Sequence, residues 1–179
     1  MLKVKLTRTQ SDAYGLYDYR VIPFGGDQYV TITGEILIDD EIIGNMTMYE
    51  LSGDVNLYDM AYQVPGDTLT IAEQICDMDG FIRKSFAIED KFVILDNIRI
   101  EPEYRNNGYG SIIMQNILVY LNDAYNHSID SVVLYTGVLD DMEGMDINAL
   151  NNHCDRLVKF YEKAGFSNAG FNVMIKKKG

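Results

Sequence analysis

The stretch that most limits how this chain can fold is residues 92–125, where an apolar strand leads through a glycine-containing loop into a helix. Residues 92–100 are nearly continuous in apolar side chains, which predicts a central strand. The loop contains Gly108 and Gly110, and the helix is predicted from about Ser111. The N–H groups of a first helical turn lack partners, and glycine lets a ligand approach the backbone, so the sequence predicts an anion site.

The order of strand, helix and strand indicates a parallel strand pair. The predicted helix, residues 109–126, carries an apolar stripe that includes Ile113, Ile117 and Leu121. Residues 131–138 form the next strand-like run. Because a parallel pair needs a crossover, and crossovers are right-handed, the helix is expected to pack on the sheet.

The other segments predict a mixed sheet with several antiparallel strands. Asp39 and Asp40 supply a turn between two β-rich runs, which indicates a hairpin. Gly165 is expected to end a helix in a left-handed conformation. The remaining predicted elements are a strand over residues 2–8, hairpin strands over 29–38 and 41–51, a helix over 68–77 with room for a helical turn before it, a helix from Asn151 or Asn152 to Ala164, and a strand over 171–177 paired with residues near Phe166.

Length and charge narrow the class of protein. With 179 residues and no linker or repeat, the chain is expected to fold as one domain, residues 1–179. A net charge of −12 argues against a nucleic-acid surface and favours a cationic partner, although the same charge also serves solubility.

The sequence lacks the marks of export or of membrane insertion. No run of eighteen apolar residues occurs, and the first six residues alternate apolar and cationic side chains as a strand does. Two cysteines, Cys76 and Cys154, fit a reducing compartment, with a single disulfide as the open alternative. We therefore expect a soluble cytoplasmic protein without a membrane partner.

Two motifs resemble those of the GNAT superfamily of N-acetyltransferases. Residues 98–110, Ile-Arg-Ile-Glu-Pro-Glu-Tyr-Arg-Asn-Asn-Gly-Tyr-Gly, resemble its acyl-CoA-binding signature, Arg/Gln-x-x-Gly-x-Gly/Ala after a strand and a proline-containing turn. Residues 160–166, Phe-Tyr-Glu-Lys-Ala-Gly-Phe, resemble its later Tyr-x-x-x-Gly-Phe element. The motifs stand in the family's order, and the resemblance extends over residues 91–177. Upstream, the clearest early helix follows the hairpin, which departs from the family's usual arrangement.

This resemblance implies a GNAT-like α/β fold: a mixed, mostly antiparallel sheet with a splayed parallel central strand pair, flanked by helices. It also implies acetyl-CoA as the acyl-donor cosubstrate, with its pyrophosphate bound by backbone N–H groups of the loop. A Rossmann dinucleotide site is not indicated, because the third glycine is missing. The cofactor-binding residues implied are Ile98, Ile100, Arg105, Asn106, Asn107, Gly108, Tyr109, Gly110 and Ser111, with a structural role as the alternative for Arg105.

Tyr161 is the first catalytic candidate that the resemblance implies. Its hydroxyl would protonate the departing thiolate, and the reference pKa values of about 8.5 for a thiol and about 10 for tyrosine make the transfer feasible. A core tyrosine with a satisfied hydroxyl is the alternative. Seven residues earlier, where the family often has asparagine, this chain has Cys154, with Asn151 and Asn152 close by.

Asp96 is the second catalytic candidate. An alkylammonium, with a pKa of about 10.4, must lose a proton before its nitrogen can attack a thioester. By resemblance, Asp96 lies on the strand beside the pantetheine arm, where family members often carry a carboxylate. A strict period of two would place it on one face with Ile94, Ile98 and Ile100. Pairing with Arg99 or a capping role would equally explain a carboxylate on an apolar strand.

Other reactive residues do not form a recognisable site. His127, His153 and the two cysteines lack zinc-ligand spacing, so no metal site is predicted. Cys154 has no activator in the sequence and is expected to be a packed thiol. The acidic residues Asp140, Asp141, Glu143 and Asp146 would attract a polycationic acceptor or form a solvated loop.

Taken together, the sequence predicts an acyl-CoA-dependent N-acetyltransferase that moves acetyl from acetyl-CoA to a primary amine of a small molecule or protein by direct attack. The expected partners are acetyl-CoA and a cationic amine acceptor, without nucleic acid. A homodimer is compatible with the sequence. The alternative function is a non-catalytic acyl-CoA-binding or protein-interaction module on the same fold.

Overall fold

A computed structural model describes residues 1–11, 14–17, 20–23, 29–88, 91–125, 129–137 and 146–178 of the chain. Two short 3-10 turns, Lys84–Phe86 and Pro102–Tyr104, lie between longer elements. The strands and helices are β1 (Leu2–Ser11), β2 (Tyr14–Tyr17), β3 (Arg20–Pro23), β4 (Tyr29–Ile38), β5 (Glu41–Ser52), α1 (Leu57–Ala61), α2 (Thr68–Ile75), β6 (Lys91–Ile100), α3 (Tyr109–Tyr125), β7 (Ser131–Tyr135), α4 (Ile147–Lys163), β8 (Ser167–Gly170) and β9 (Val173–Lys177).

Seven of these strands form one sheet in the order β1-β4-β5-β6-β7-β9-β8, and β2 and β3 pair separately. Within the seven-stranded sheet β6 and β7 are parallel, while the other neighbouring strands are antiparallel. Helices α3 and α4 pack on one face, and α1 and α2 pack on the other. The predicted fold class, a mixed and mostly antiparallel sheet flanked by helices, is confirmed. No helix in the described ranges is long and apolar enough to cross a membrane.

The parallel pair diverges halfway along β6. Residues 92–95 pair with residues 131–134, and the ladder stops there although β6 continues to Ile100. On its other side β6 keeps its pairing with β5 up to Ile100 and Gly44. A β-bulge accompanies the divergence, because Leu95 pairs with Met48 and Asn97 with the preceding Thr47, which leaves the residue between them unpaired. Strand β7 keeps its pairing with β9 to Tyr135, one residue beyond the end of its ladder with β6, which fits the predicted splay of the central strands.

The residue left unpaired at this bulge is Asp96, and the extra residue changes which side chains share a face. Val93 and Leu95 face α3 and α4, and after the bulge Ile98 and Ile100 pack on that same side. Ile94 belongs to the opposite cluster under α1 and α2. The prediction that Asp96 shares a face with Ile98 and Ile100 is therefore wrong, because a strict period of two does not continue through a bulge.

Several element boundaries also differ from the prediction. Helix α4 begins at Ile147, before Asn151 and Asn152, because the Asp146 side chain accepts a hydrogen bond from the backbone N–H of Asn148 at 3.2 Å and caps the helix. At the other end of α4, Gly165 has the expected left-handed conformation, with φ of 89°.

The last strand begins two residues later than predicted. Phe171 and Asn172 both have positive φ and form the turn between β8 and β9, so pairing starts at Val173. The predicted ends of α3 at Asn126 and of β7 at Val138 lie outside the described residues.

Lys176 on β9 ties the two large helices to the sheet. Its Nζ donates to the carbonyl oxygens of Met114 at 2.9 Å and Gln115 at 2.7 Å in α3, and of Ala164 at 2.6 Å at the end of α4. The same ammonium lies 5.6 Å from the ring centroid of Phe166. One cation therefore connects both helices that carry the resemblance motifs.

Replacing Lys176 with methionine is expected to lower the free energy of unfolding by about 2 kcal/mol, since hydrogen bonds to a charged group contribute about 1.5–3 kcal/mol. Urea unfolding followed by circular dichroism measures the change. Lys177→Met is the matched control, because Lys177 is exposed and its loss should change stability by less than about 0.5 kcal/mol. Equal losses in the two variants would show that the Lys176 hydrogen bonds do not contribute.

Candidate functional site

The predicted anion loop follows β6 directly and is shaped by a tight turn. Pro102 opens the 3-10 turn at Pro102–Tyr104, where its fixed φ is compatible with the turn and its missing N–H is not needed. The N–H of Glu101 donates to the Ile43 carbonyl at 2.8 Å, which fixes the start of the loop to β5. The N–H of Arg105 returns to the Pro102 carbonyl at 3.2 Å and closes the turn.

Beyond this turn the loop adopts two left-handed residues. Asn106 has φ of 63° and Gly108 has φ of 80°, conformations that glycine and asparagine tolerate best. The Asn107 side chain donates to the carbonyl oxygens of Tyr104 at 3.1 Å and Arg105 at 3.2 Å. Asn107 therefore stabilises the loop from within.

A cavity of about 410 Å³ lies between this loop, the start of α3 and the side of α4. Its volume is within the usual range for small-molecule sites. The cavity is lined by Ile100, Tyr104, Arg105, Asn106, Gly108, Tyr109, Gly110, Ser111 and Phe160.

Most of the residues predicted to bind the cofactor line this cavity, with two exceptions. Asn107 faces the loop backbone, and Ile98 packs in the core cluster under α3. Tyr104 and Phe160 line the cavity although the sequence analysis did not select them. Phe160 carried a signal, because it immediately precedes Tyr161 in the second motif.

The polar groups at the cavity suit an anion. The first backbone hydrogen bond of α3 runs from the Ile112 N–H to the Gly108 carbonyl at 3.1 Å, so the N–H groups of Tyr109, Gly110 and Ser111 precede the helical ladder. The helix dipole adds positive potential at the same place. A Cβ on Gly110 would lie 3.6 Å from the Phe160 ring, in ordinary contact with it at the wall of the cavity.

One part of the Arg105 side chain is hydrogen-bonded to the backbone, and the rest is exposed. Its Nε donates to the Ile100 carbonyl at 2.8 Å, which holds the side chain against the end of β6. Within the described residues its Nη groups make no hydrogen bond, and the side chain is exposed. The predicted structural alternative is therefore present, and it leaves the guanidinium beside the cavity.

Asp96 lies on the opposite face of the sheet from the cavity, where β6 separates from β7. Gly66, in the connection between α1 and α2, approaches the carboxylate so closely that a Cβ there would overlap its Oδ1. Burial raises the pKa of Asp96 above the usual value for aspartate. In the described part of the chain Asp96 forms no ion pair with Arg99, which excludes the alternative of that pairing.

Tyr161 is almost completely buried, with 8% of its surface exposed. Its ring makes edge-on contacts with Phe160 at 5.0 Å and Phe166 at 5.4 Å between centroids, in the cluster under α3 and α4. Burial raises the pKa of Tyr161 to about 12, so its hydroxyl is a weaker acid than a free tyrosine. It does not line the cavity, because neighbouring positions on a helix differ in direction by about 100°.

The two catalytic candidates thus lie on opposite faces of the sheet. The opening between β6 and β7 begins beyond Leu95 and Leu134, where their ladder ends. The sheet separates the cavity and Tyr161, on the face of α3 and α4, from Asp96, on the face of α1 and α2. A molecule that uses both residues must reach into this opening.

Cys76, Cys154 and Asp146 do not line the cavity. Cys76 and Cys154 are buried free thiols, and burial raises the pKa of Cys76 to about 11. Asp146 is the cap of α4. Of the other candidates from the sequence, His153 lies in α4, and His127, Asp140, Asp141 and Glu143 lie outside the described residues.

No family model matches this chain, and no curated protein matches it either. One similar solved structure is a mutant of the AtaT toxin bound to the C-terminus of the antitoxin AtaR, with 10% identity and a TM-score of 0.43. That similarity covers 82% of this chain and 66% of the other, just under two thirds of its length. Another is Arabidopsis thaliana NAA60 in complex with a bisubstrate analogue, with 11% identity, a TM-score of 0.42, and coverage of 86% and 76%. The fold is defined by this chain's own strands and helices.

Proposed function

We propose that this protein is an acyl-CoA-dependent N-acetyltransferase that moves acetyl from acetyl-CoA to a primary amine by direct attack. The observation that carries the proposal is the cavity at the start of α3, which is lined by Ile100 at the end of the part of β6 that no longer pairs with β7. A cavity with backbone donors suits the phosphates of CoA, and the part of β6 that does not pair with β7, residues 96–100, suits its extended thioester arm. The two resemblance motifs contribute to this one region.

In this proposal the loop binds the pyrophosphate. The N–H groups of Tyr109, Gly110 and Ser111 are the donors, and the guanidinium of Arg105 adds a nearby positive charge. The net charge of −12 does not prevent this, because exposed charges more than about 8 Å away are largely screened at physiological salt. Ile100 lines the cavity and leads from the loop toward the opening.

The transfer step requires three proton movements: two away from the acceptor nitrogen and one to the departing thiolate. The ammonium of the acceptor gives a proton to the Asp96 carboxylate, and the neutral nitrogen attacks the thioester carbonyl. The C–N bond forms as the C–S bond breaks, and the departing thiolate takes a proton from the Tyr161 hydroxyl. The new amide nitrogen gives up its extra proton to solvent, and the Tyr161 phenolate regains a proton from solvent. The raised pKa of Asp96 makes it a stronger base than an exposed aspartate, which favours the first transfer.

A second candidate function is a non-catalytic acyl-CoA-binding or protein-interaction module. The observation that favours it is the burial of Tyr161, whose pKa of about 12 makes proton donation to a thiolate difficult. In this case the cavity binds the acyl-CoA, and Tyr161 serves only as a packed aromatic residue between Phe160 and Phe166.

A panel of primary amines, each incubated with acetyl-CoA and followed by release of free thiol, separates the two functions. The transferase is expected to release CoA only when a suitable amine is present, with one acetylated amine formed per thiol. Calorimetry with acetyl-CoA measures binding independently. If acetyl-CoA binds while no amine in the panel is acetylated, the binding module replaces the enzyme as the better description.

Replacing Tyr161 with phenylalanine tests the acid role. Because the raised pKa limits how well this hydroxyl donates a proton, we expect kcat to fall about tenfold, below the usual range for general acids, with unchanged KM for acetyl-CoA. Tyr120→Phe is the matched control, since Tyr120 packs against the same core cluster away from the cavity. If both variants keep the wild-type kcat, Tyr161 has no role as the acid.

A further inference from the structure

Three of the side chains that line the cavity at the start of α3 are aromatic: Tyr104, Tyr109 and Phe160. They come from the 3-10 turn after β6, from the first residue of α3 and from α4. Each is half-buried and packs against the core cluster under α3 and α4. Aromatic surface therefore lies beside the backbone N–H groups that suit an anion.

The three rings do not fill the cavity by packing on one another. In the described ranges Phe160 makes its ring contact with Tyr161, at 5.0 Å between centroids, and no ring contact joins Tyr104, Tyr109 and Phe160. The cavity that adjoins all three has about 410 Å³, in the range of sites that hold whole small molecules. Ring surface is therefore accessible to a ligand.

Tyr104 is fixed in place independently of any ligand. Its hydroxyl donates a hydrogen bond to the carboxylate of Glu41, the first residue of β5, and this bond is the main cause that raises the pKa of Tyr104. Its backbone N–H donates to the Glu101 carbonyl at 2.9 Å within the turn. A ring that is already held at both ends loses little freedom when a ligand packs on it.

The groups around Tyr104 do not suit a phosphate. The hydroxyl is already donated to Glu41, and the negative charges of Glu41 and Glu103 also contribute to the raised pKa of Tyr104. The backbone donors of residues 109–111 and the guanidinium of Arg105 are the better partners for phosphate. The ring of Tyr104 suits an uncharged planar group instead.

CoA carries such a group at the end away from its thioester. Its adenine base is joined through a ribose to the same pyrophosphate from which the thioester arm departs. In the proposed function the pyrophosphate is bound at residues 109–111, and the arm leads from Ile100 along β6. The aromatic part of the cavity has no ligand group assigned to it in that arrangement.

We propose that the rings of Tyr104 and Phe160 bind the adenine base, which makes the cavity a site for an adenosine 5′-diphosphate group. The proposal rests on the proposed function where it names CoA as one ligand. It goes further, because ADP without the pantetheine arm is then a ligand as well and competes with CoA for the cavity. Stacking on aromatic side chains requires no hydrogen bond to the base.

Calorimetry on the full chain, without magnesium, tests the site with two ligands of matched charge. ADP and methyl diphosphate carry the same diphosphate, and ADP adds the adenosine. We expect ADP to bind at least tenfold more tightly than methyl diphosphate and to be displaced by CoA. Equal binding of the two ligands, or ADP binding that CoA does not displace, would overturn the proposal.

Variants locate the base. Tyr104→Leu and Phe160→Leu are each expected to weaken ADP binding at least fivefold, with methyl diphosphate within twofold of its wild-type affinity. Tyr104→Phe keeps the ring and should bind ADP within threefold of the wild-type protein. Tyr62→Leu is the control, because Tyr62 follows α1 and is 82% exposed. If the leucine variants weaken both ligands equally, the rings only maintain the shape of the cavity and the adenine assignment is wrong.

Nuclear magnetic resonance of ADP on the wild-type protein gives a readout that does not depend on any variant. A base stacked on aromatic rings lies in their ring currents, so the adenine proton resonances are expected to move upfield on binding. ADP that binds with unshifted base resonances would be held by its diphosphate alone, which contradicts the proposal.

The adenine site and the transferase function fail separately in this design. If an amine is acetylated from acetyl-CoA while ADP binds no more tightly than methyl diphosphate, the transferase stands and the adenine site is wrong. If ADP binds with shifted base resonances while no amine is acetylated, the adenine site stands and the transferase function falls.

Discussion

Replacing Asp96 with asparagine is expected to lower kcat/KM for acetyl transfer by 10²- to 10⁴-fold, the usual contribution of a positioned general base. Asparagine keeps the shape of the side chain at the β-bulge but accepts no proton and carries no charge for an ammonium. CoA affinity should remain unchanged, because the cavity lies on the other face of the sheet. Steady-state kinetics and CoA calorimetry on the same preparations measure both effects.

The pH dependence of the wild-type protein has a definite sign. Burial raises the pKa of Asp96, so the carboxylate is lost and activity falls as pH drops through that raised value. For stability the sign is opposite: the folded state holds the proton more tightly than the unfolded chain. The stability that Asp96 contributes below its pKa in the unfolded chain is therefore lost as pH rises through its higher pKa in the folded protein.

It follows that Asp96→Asn should be more stable than the wild-type protein at neutral pH and should lose the acidic limb of the activity profile. Asp123→Asn is the charge-matched control, since Asp123 is exposed on α3, and it should change neither activity nor stability. If Asp96→Asn retains wild-type activity and the same acidic limb, another group is the base. If it is destabilised at pH 7, the carboxylate has a stabilising partner in the folded protein.

The strand, loop and helix of residues 92–125 could be predicted from sequence because their signals are local. The signals are the apolar runs, Pro102, Gly108 and the apolar stripe of α3, and each depends on only a few neighbouring residues. Together they predicted most of the residues that line the cavity. The helix end at Gly165 could also be predicted from sequence, because a helix end that needs a positive φ selects glycine.

The position of Asp96 could not be predicted, because it depends on the partner strand. A bulge exists only relative to the register of β5, and nothing in the residues of β6 marks where that register slips. The slip moves Ile98 and Ile100 to the face of α3 and leaves Asp96 facing α1 and α2. A one-residue change in register reverses which side chains face the cavity, so this error changes the candidate site as well as the fold.

The burial of Tyr161 could be given only as an alternative from the sequence, for a related reason. The motif located the residue, but its exposure is set by Phe160 and Phe166, which enclose it only after α4 packs on the sheet. The start of α4 was misplaced because two asparagines, Asn151 and Asn152, suggested a later start, while the Asp146 cap stabilises an earlier one. In each case a tertiary or capping contact outweighed the local propensity.

Replacing Ser111 with aspartate is expected to weaken CoA binding about a hundredfold without loss of stability. Ser111 lines the cavity in the first turn of α3, where an added carboxylate interacts favourably with the helix dipole. The same carboxylate would repel a pyrophosphate bound to the adjacent N–H groups, by about 4 kcal/mol at 4 Å near a protein surface before screening by salt. Calorimetry with CoA measures the affinity, and thermal unfolding measures the stability.

Ser111→Asn separates charge from shape, because asparagine has nearly the volume of aspartate and should bind CoA within about threefold of the wild-type protein. The difference between the two variants should shrink as salt is raised from 50 mM to 500 mM, since repulsion between exposed charges is screened. A hundredfold loss in both variants would mean that the side chain at residue 111 blocks the cavity by size. Unchanged affinity in Ser111→Asp would show that no phosphate lies at the start of α3, and the cofactor half of the proposed function would then have to be abandoned.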